Sequence, residues 1–391
     1  MKDVDLIIVG SGIFGLTIAE RAARKLNKKV LIVEKRDHIG GNSYSETDPE
    51  TGIECHKYGA HIFHTSNQKV WEYVNNFANF TNYQHRVYST HNNEVFPLPI
   101  NLGTINQFFH KNYTPDEARN LISIQSKNST KNPQNLKEQG ISLIGKPLFE
   151  AFIMNYTAKQ WQTPAEKLSP EIIKRLPVRY NYNNRYFSNT YEGLPKNGYN
   201  ELFKNIVNSS KNIRTKLSTD YFKNQEIRNL TKNGTLTIFT GPIDQFFNYK
   251  FGALNWRSVE FKKEIINTSD FQGCPVMNYA DLEQPYTRII EFKHFHPERT
   301  YKGYSEKSNK TIIYKEFSKK WNLGDEPYYP VRTEEDLSKL KKYQSLAKQQ
   351  SNIIFGGRLG EYAYYDMDAT FASALKTFES KIAPFFNGTT Q

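Results

Sequence analysis

The chain begins with two short apolar runs separated by glycines. The first run, DLIIV, ends at Val9 and is followed by glycines at positions 10, 12 and 15. The second run, KVLIVEK, contains Glu34 near its end. Short apolar runs bounded by turn residues are typical of buried strands. The pattern therefore predicts a strand, a glycine turn, a helix and a second strand.

Between Leu102 and about Leu176 the apolar positions follow helical spacing. The stretch YTPDEARNLI offers Thr114 as an N-cap, Pro115 as the first helical residue and Glu117 as the partner in a capping box. Further along, large side chains share one helical face: Leu148, Phe149, Phe152, Ile153 and Tyr156. Such a stripe is the usual mark of a buried helix face. This region is predicted to be helical.

The second half of the chain alternates strand-like and helical segments. Three runs have the residue content of strands, and we expect them in an antiparallel sheet with one exposed face: GTLTIFTG, RIIEFKHF and KTIIYKEF. From Glu334 to Phe385 the pattern returns to helix, a short strand, NIIFGG, and helix. The C-terminal segment is therefore expected to rejoin the first domain, which makes that domain discontinuous.

The composition supports a folded core. Hydrophobic residues make up 38% of the 391 residues, with 26 Phe and 25 Tyr. No apolar run approaches the ~20 residues of a membrane span, and the start, MKDVDLIIVG, lacks the cationic region of a signal peptide, so we expect no membrane insertion. Only Cys55 and Cys274 are present, so a cytoplasmic protein without a disulfide framework is expected.

The charge balance favours an anionic partner. Lys and Arg number 52 against 40 Asp and Glu, a formal net charge of +12. Nucleic acid is one candidate partner, but no basic run of five or more residues occurs. A small anionic substrate is the better alternative, because a positive surface attracts such substrates. Composition alone does not choose between the two.

The glycine turn has the features of a dinucleotide site. Its glycines permit a tight turn, close approach of the backbone to a pyrophosphate, and a helix whose N-terminus faces the phosphates. A glycine pattern alone is weak, but here it lies between two predicted strands. Glu34 follows ~20 residues later, where it would accept hydrogen bonds from ribose hydroxyls. The alternative for Glu34 is a plain exposed acid at a strand end.

Two further glycine-containing segments decide which dinucleotide is expected. RDHIGGNSYS places Gly40, Gly41 and Asn42 directly after the second strand, and it resembles the loop of flavoproteins that bind extended FAD. Near the C-terminus, IIFGGRLGEYAYYDMDATFASAL combines a strand, a glycine pair and a helix beginning near Asp368, and it resembles the C-terminal FAD element of the same superfamily. Arg358 would lie beside the flavin or its ribityl chain. Together the three segments predict FAD.

The predicted fold is α/β, with a Rossmann-like FAD-binding domain, an inserted helical bundle domain and an antiparallel β-sheet domain. The FAD-binding domain is discontinuous and takes three stretches of the chain, and the sheet domain takes three more. The predicted ranges are 1–80, 190–265 and 335–391 for the FAD-binding domain, 100–176 for the helical domain, and 81–99, 177–189 and 266–334 for the sheet domain.

With FAD as the cofactor, the chain resembles the UDP-galactopyranose mutase family along nearly its whole length. The motifs that carry the resemblance occur in the family's order: YGAHIFHTSN, NYTAKQW, KRLPVRYNYNNRYF, LPKNGY, NYADLEQPYTRIIEFKHFHPE, EPYYP and GGRLGEYAYYDMD. The resemblance implies interconversion of UDP-galactopyranose and UDP-galactofuranose without net redox change, through a covalent adduct between reduced FAD and the anomeric carbon. It also implies a homodimer whose product enters cell-surface polysaccharide.

The resemblance assigns roles to individual side chains. Arg175 and Arg288 match the two arginines that bind the pyrophosphate, and Arg175 lies in LSPEIIKRLPVR, which matches a mobile lid. Tyr156 matches the residue that stacks on uracil, with Phe152 one turn earlier, although both also fit the buried stripe. Trp161 matches the tryptophan of the sugar site. The other implied substrate contacts are His85, Tyr186, Asn278, Tyr329 and Tyr364.

Asp366 has two possible roles, as an acid near the sugar or as the cap of the following helix. In the first role it joins Arg175, Arg288 and His61 as the implied catalytic residues. The implied cofactor contacts come from all three glycine-containing segments and the histidine-rich segment between them. They are Gly10, Gly12, Ile13, Phe14, Gly15, Glu34, Lys35, Gly41, Asn42, Ala60, His61, Ile62, Arg358, Tyr365, Asp366 and Met367.

Three histidines in HKYGAHIFHTSN raise the question of a metal site. His56, His61 and His64 lack the helical i, i+4 spacing of a zinc pair, and the implied chemistry needs no metal, so none is expected. By resemblance the segment is a flavin-facing loop, where Gly59 and Ala60 allow close backbone approach and His61 lies against the isoalloxazine ring. His64 is expected behind it, and His56 is interpreted as a strand residue.

Two other functional classes stay open. A redox flavoenzyme of the amine-oxidase or desaturase superfamily would share the FAD elements, but it would have an apolar tunnel in place of phosphate-facing arginines. A noncatalytic binder of nucleotide sugars or nucleic acid would use the positive charge and would carry no flavin. Acceptance of an N-acetylated galactose by the family reaction is left open as well.

Overall fold

The strands form two large sheets and two small ladders. The computed structural model describes residues 3–127, 129–174, 176–299 and 310–388. Its strands, numbered along the chain, are β1 (Leu6–Val9), β2 (Val30–Val33), β3 (Ser45–Thr47), β4 (Glu54–His56), β5 (Phe63–Thr65), β6 (Val87–His91), β7 (Glu94–Leu98), β8 (Tyr191–Gly193), β9 (Ile213–Lys216), β10 (Leu236–Phe239), β11 (Trp256–Ile266), β12 (Val276–Tyr279), β13 (Arg288–Glu291), β14 (Thr311–Lys320), β15 (Tyr329–Pro330) and β16 (Ile353–Phe355).

Helices surround the sheets. They are α1 (Ile13–Lys25), α2 (Gln68–Asn75), α3 (Leu102–Phe109), α4 (Pro115–Ser126), α5 (Leu136–Ile144), α6 (Lys146–Phe149), α7 (Asn155–Trp161), α8 (Tyr199–Asn208), α9 (Gln225–Lys232), α10 (Ile243–Phe246), α11 (Glu334–Ala347), α12 (Gly357–Gly360), α13 (Met367–Thr377) and α14 (Ala383–Asn387). In the described part of the chain no helix has the length and apolarity needed to cross a bilayer.

The first sheet is parallel, and the glycine turn lies at the carboxyl end of its central strand, β1. Its five strands run in the order β16-β10-β1-β2-β9. All four residues of β1 and all four of β2 are buried, which is typical of strands covered on both faces. The predicted strand, glycine turn, helix and strand are confirmed as β1, the turn after Val9, α1 and β2.

The strand β10 corrects one prediction. Its run, within GTLTIFTG, is predicted to lie in an antiparallel sheet, but β10 pairs in parallel with β1 and with β16. All four residues from Leu236 to Phe239 are buried. A strand in an antiparallel sheet with one exposed face would instead alternate buried and exposed residues, so burial on both faces is the physical reason for the difference.

The second sheet has seven strands in the order β15-β11-β14-β13-β12-β6-β7. Its pairings are antiparallel except for the parallel pair of β12 with β6. The antiparallel arrangement predicted for RIIEFKHF and KTIIYKEF is confirmed, because β13 pairs with β14. The strand β11, assigned to the FAD-binding domain by the predicted boundary at residue 265, pairs with β14 from Arg257 to Ile266 and so belongs to this sheet.

The helical region forms a core of its own between α3 and α7. The predicted capping box at α4 is confirmed, since the side chains of Thr114 and Glu117 each bond the other's backbone N–H. Leu148, Phe149 and Phe152 of the predicted stripe are buried in this core. Between α6 and α7 the segment Glu150–Met154 is π-helical, a wide turn that is frequent at functional sites.

The C-terminal segment returns to the parallel sheet, as predicted. β16 pairs with β10, and the following helix α13 packs on α1. Phe371 and Phe378 are buried in the same core as Phe14 and Leu16 of α1. Residues from both ends of the chain therefore build the parallel-sheet core together.

Candidate active site

The glycine turn presents open backbone at the carboxyl end of β1. Gly10 has a φ of +98°, and a Cβ at Gly15 would lie 2.2 Å from the carbonyl oxygen of Gly10, so these two positions are closed to larger residues. A Cβ at Gly12, in contrast, would meet no atom within 4 Å. No side chain caps the N-terminus of α1. The turn thus leaves free space and free amide groups where a pyrophosphate would bind.

Glu34 holds this turn in place. Its Oε2 accepts hydrogen bonds from the backbone N–H of Ser11 at 2.8 Å and from the Ser11 hydroxyl at 2.7 Å. Its Oε1 accepts from the N–H of Arg36 at 2.9 Å. The side chain is buried, which excludes the alternative of a plain exposed acid. The ribose contact of Glu34 stays a prediction.

The second loop lies against the first. A Cβ at Gly41, whose φ is +57°, would lie 3.0 Å from the Cα of Gly12. The side-chain oxygen of Asn42 accepts a hydrogen bond from Arg36 at 2.9 Å. Lys35 is exposed and pairs with Glu326 at 3.1 Å. Gly12, Gly41 and Asn42 therefore border one space, while Lys35 lies at its rim.

The third element supplies Arg358 from α12. Its guanidinium donates to the carbonyl oxygens of Tyr365 at 2.5 Å and Tyr328 at 3.2 Å. It also lies 5.4 Å from the ring of Tyr364 and 5.9 Å from that of Tyr329. The element packs on the glycine turn, since a Cβ at the preceding Gly356 would meet the ring of Phe14, a residue of α1.

Two other predicted cofactor residues, Tyr365 and Met367, follow α12 in the chain. The phenol of Tyr365 turns toward Glu361, and burial together with that carboxylate raises its pKa to about 12. Met367 packs against the parallel-sheet core. Neither observation tests their predicted contact with the cofactor.

The histidine-rich loop is fixed by its own ring nitrogens. The backbone N–H of His61 donates to Nδ1 of His56 at 3.0 Å, so this nitrogen is unprotonated. Nδ1 of His61 lies 2.7 Å from the carbonyl oxygen of Gly59 and must therefore carry the proton, which leaves Nε2 as an acceptor. The interpretation of His56 as only a strand residue is incomplete, because it anchors the loop.

Burial keeps both histidines neutral. Burial, with a smaller contribution from Arg358, lowers the pKa of His61 to about 4. Burial likewise lowers the pKa of His56 to about 3. The third histidine, His64, stacks on Phe187 at 3.6 Å and bonds the side chain of Asn189. Ala60 and Ile62, the other predicted cofactor residues of the loop, pack against the main core.

Arg288 is the centre of a second group of side chains. Its Nη2 donates to the hydroxyl of Tyr156 at 3.0 Å, and its Nε lies 3.1 Å from Glu316 in an ion pair that lacks hydrogen-bond alignment. Burial would lower the pKa of Arg288, but Glu316 and the phenols of Tyr156, Tyr329 and Tyr186 raise it. The guanidinium is therefore a permanent cation within a ring of hydroxyl groups.

Two polar atoms of predicted substrate residues are buried and have no hydrogen-bond partner among the described residues. Asn278 pairs with Arg288 in the β12–β13 ladder, and its Oδ1 is one of these atoms. The indole Nε1 of Trp161, on α7, is the other. Because buried polar atoms are nearly always hydrogen-bonded in proteins, such atoms point to a polar ligand. Both residues are predicted substrate contacts, and this observation supports them.

Tyr156 and Phe152 have different surroundings. The ring of Phe152 packs at 5.0 Å from Phe96 and 5.7 Å from Phe108 in the helical core. Its burial favours the core alternative over a substrate contact. Tyr156, one turn later, reaches Arg288, and burial raises the pKa of its phenol to about 12, so the phenol keeps its proton.

His85 and the remaining tyrosines border the same group. Nδ1 of His85 bonds the hydroxyl of Tyr83 at 2.9 Å, and its ring meets that of Tyr186 edge-on at 5.5 Å. Burial lowers the pKa of His85 to about 3, and Arg288 contributes. Tyr364 stacks on Tyr329 at 5.9 Å. Tyr186 and Tyr364 are exposed, and so they form an open rim.

Asp366 and Arg175 have separate outcomes. Asp366 occupies the N-cap position of α13, but its side chain accepts no capping hydrogen bond. It lies instead beside the hydroxyl of Tyr364, and desolvation of that hydroxyl together with the Asp366 carboxylate raises the pKa of the phenol, although much of the Tyr364 side chain is exposed. The capping alternative is thus not supported by the geometry. Arg175 lies outside the described residues.

Arg257 is a site residue that the sequence analysis missed. Its guanidinium lies 5.8 Å from the ring of Trp161, and within the described part of the chain it makes no ion pair or side-chain hydrogen bond. Burial lowers the pKa of Arg257. In the sheet it pairs with Tyr329. A half-buried cation with no anion beside it supports a negatively charged ligand, and no local sequence pattern marks it.

Comparison with known proteins gives matches that cover both the dinucleotide turn and the group around Arg288. The family model described as UDP-galactopyranose mutase matches residues 151–364, and that of the NAD(P)-binding Rossmann-like domain matches residues 8–77. A Klebsiella pneumoniae protein named "Probable UDP-galactopyranose mutase" is 43% identical over 99% of this chain and 97% of its own. An Escherichia coli dTDP-fucopyranose mutase is 40% identical over 95% of this chain and 96% of its own.

The fold comparison points the same way. A crystal structure of reduced UDP-galactopyranose mutase superposes with a TM-score of 0.72 at 15% identity, covering 98% of this chain and 94% of that one. At this identity the likeness shows the fold. The Rossmann-like element and the family match together indicate a dinucleotide cofactor of the flavin type.

Proposed function

The chain belongs to the UDP-galactopyranose mutase family, and we propose on this basis that it interconverts UDP-galactopyranose and UDP-galactofuranose without net redox change. One observation in the site carries the proposal. A permanently charged Arg288 is ringed by phenols, and one of these, Tyr329, also lies beside Arg358 of the third cofactor element. Asn278, the partner of Arg288 in the ladder, offers an amide oxygen that has no partner among the described residues. Such a group suits a nucleotide diphosphate attached to a sugar.

We propose FAD in the reduced state as the cofactor. The open space at Gly12, the adjoining loop at Gly41 and the third wall at Arg358 support an extended dinucleotide. When bound and reduced, FAD supplies a nucleophile for the anomeric carbon of the sugar, which departs from UDP. The chain's own residues have to bind UDP, orient the sugar and keep water away.

Arg288 and Tyr156 serve the departing UDP. Negative charge grows on the β-phosphate oxygen as the bond to the anomeric carbon breaks, and a fixed cation beside that oxygen stabilises the charge. The Tyr156 hydroxyl accepts a hydrogen bond from Arg288 and keeps its own proton. The hydroxyl can therefore donate a hydrogen bond to the phosphate. Arg175 is proposed as the second phosphate ligand from the family pattern.

His61 serves the cofactor side in this proposal. With its proton held at Nδ1 by Gly59, it offers an unprotonated Nε2 at neutral pH. A neutral acceptor there adds no positive charge to that already brought by Arg358. The loop also keeps a fixed backbone path, because His56 holds the N–H of His61.

The cellular setting is proposed from the same family. A homodimer follows from the resemblance, and a product used in cell-surface polysaccharide follows from the reaction. Cys55 and Cys274 are free and buried, which supports a reducing compartment such as the cytoplasm. Size-exclusion chromatography with light scattering tests the dimer directly.

The deciding experiment is a turnover assay. Purified protein is reconstituted with FAD, reduced once with dithionite and incubated with UDP-galactofuranose, and the products are separated by chromatography. UDP-galactopyranose is expected from the reduced protein and not from the oxidised one. Failure of the reduced protein to make it would contradict the proposal, and turnover that consumes oxygen would favour the redox alternative.

A second substrate pair belongs in the same assay. The Escherichia coli relative at 40% identity is named for dTDP-fucopyranose, which differs from the UDP substrate in both base and sugar. Parallel reactions with dTDP-fucopyranose and with UDP-galactopyranose, compared by kcat/KM, decide between the two sugar nucleotides. A higher kcat/KM for the UDP sugar is expected.

A further inference from the structure

Lys159 lies between Tyr156 and Trp161 on α7 and reaches the turn that joins β12 to β13. Its ammonium group donates to four backbone carbonyl oxygens: Tyr279 at 2.6 Å, Asp281 at 2.7 Å, Gln284 at 3.0 Å and Tyr286 at 3.2 Å. An ammonium has three N–H donors, so two of these carbonyls share one donor. A single side chain therefore binds both arms of the turn.

The turn needs this cation for electrostatic reasons. Four carbonyl oxygens that converge on one point repel each other unless a positive charge lies between them. The nearby carboxylate of Asp281 does not take the ammonium away, because it bonds Nδ1 of His91 at 2.6 Å and the N–H of Asn92 at 3.0 Å. Lys159 is thus the charge that permits this path of the backbone.

The same two elements meet in the substrate site. Asn278 directly precedes Tyr279 at the end of β12, and Arg288 begins β13 just after the turn. Arg288 in turn donates to Tyr156, which lies one helical turn before Lys159. The lysine and the Arg288–Tyr156 hydrogen bond therefore join α7 to the β12–β13 hairpin side by side.

We propose that Lys159 is a positioning residue, which holds the β12–β13 turn against α7 and thereby fixes Arg288 and Asn278 toward the substrate phosphate. The identity of that ligand rests on the proposed function. Lysine suits the task better than arginine, since its donors surround a single atom, whereas the planar guanidinium spreads its donors along a fork. Replacement by arginine keeps the charge but serves fewer of the four carbonyls.

Hydrogen exchange of the FAD-bound protein tests the clamp without any substrate. Lys159→Met keeps the aliphatic stem and removes the donors. Faster exchange is expected in peptides covering residues 276–290, with no change in the parallel sheet. The control is Lys137→Met on α5, because Lys137 pairs with exposed Glu166 at 2.9 Å and touches no site residue. Should Lys159→Met fail to fold, Lys159→Gln, which keeps two N–H donors, takes its place.

Steady-state kinetics of the reduced enzyme test the positioning role. Lys159→Met is expected to raise KM about tenfold and to change kcat less, since the phosphate contacts are displaced while the chemistry is untouched. Lys159→Arg is expected to lie between the two, and Lys137→Met to match the unmodified enzyme. Unchanged exchange and KM in Lys159→Met would overturn the inference, as would equal losses of kcat and affinity that arginine does not relieve. An inactive unmodified enzyme would refute the proposed function instead, and the exchange result would still decide whether the clamp exists.

Discussion

The two halves of the candidate site are built in opposite ways. The dinucleotide half is backbone around glycines, and its one acid, Glu34, is fully engaged by Ser11 and Arg36. The substrate half is made of long side chains, and Asn278 and Trp161 each leave a buried polar atom without a partner. The polar side chain that fixes the first half has its partners within the chain, whereas the second half leaves polar side-chain atoms for a ligand. Substitutions at packed positions of the first half should therefore act mainly on folding, and substitutions in the second half mainly on binding.

Loss of Arg288 is the strongest test of the substrate half. Arg288→Ala removes charge-assisted hydrogen bonds, each worth about 1.5–3 kcal/mol, and leaves Glu316 buried without its cation. We expect kcat/KM to fall roughly 100-fold or more, with FAD content unchanged. Steady-state kinetics and the flavin absorbance of the purified variant provide the measurements. Arg214→Ala, at an exposed arginine of β9, is the control, and an equal loss there would contradict the assignment.

A fall in pH is expected to lower the free energy of unfolding through histidines of both halves, so pH should not distinguish one half from the other. His56, His61 and His85 have pKa values lowered to about 3, 4 and 3 by burial. Below pH ~6.5 these histidines bind protons in the unfolded chain but not in the folded chain, so the free energy of unfolding falls as pH falls. We expect a loss of about 1 kcal/mol per pH unit for each histidine between pH 6.5 and ~4.5.

Urea denaturation of the cofactor-free protein at pH 7.5 and pH 5.5 measures this loss. His85→Gln is expected to reduce the pH dependence by about 1 kcal/mol per pH unit, since one histidine with a lowered pKa is gone. Equal unfolding free energies at the two pH values would show that these rings are protonated in the folded protein.

Two glycines of the same turn separate folding from binding. Gly15→Ala places a Cβ 2.2 Å from the carbonyl oxygen of Gly10, so a loss of about 1–3 kcal/mol in unfolding free energy is expected. Gly12→Ala meets no atom of the chain, so its stability should be unchanged while its affinity for FAD falls. Urea denaturation and FAD titration by fluorescence quenching distinguish them. Equal effects of the two substitutions on the unfolding free energy and on the FAD affinity would show that the two glycines do not have separate roles.

The smallest expected effect concerns Asn278. Replacing it with leucine removes a buried oxygen that has no partner among the described residues, so the unfolding free energy should stay the same or rise by up to about 1 kcal/mol. Affinity for UDP should fall about tenfold, since the oxygen is left for the ligand. Thermal unfolding and calorimetric titration with UDP check both. A stability loss without an affinity loss would make Asn278 a structural residue.

Local patterns could be predicted from the sequence, and so could the β13–β14 pairing and the return of the C-terminal segment, but the sheet that β10 and β11 join could not. The glycine turn, the capping box of α4 and the helical stripe each depend on residues within one or two turns of the chain. The parallel pairing of β10 and the place of β11 depend on partners more than forty residues away. Propensity does not encode which sheet such a strand joins.

The same limit applies within the site. Arg288 and Tyr156 lie in distinctive motifs, and the structure brings them to 3.0 Å. Lys159 lies within the quoted motif NYTAKQW and Arg257 lies in none, yet the surroundings of both became visible only in the fold, because their neighbours come from distant parts of the chain. Glu34 was expected to face a ribose, while its bonds to Ser11 are a role that spacing alone does not reveal.

The pairing of β16 with β10 has a consequence for biosynthesis. The glycine turn is synthesised early, but Arg358 and α13, which lie beside it in the fold, are synthesised more than 300 residues later. Contacts between such distant segments close large loops and form late. A polypeptide that ends before Arg358 lacks one wall of the predicted dinucleotide site, so we expect cofactor binding to follow synthesis of that segment.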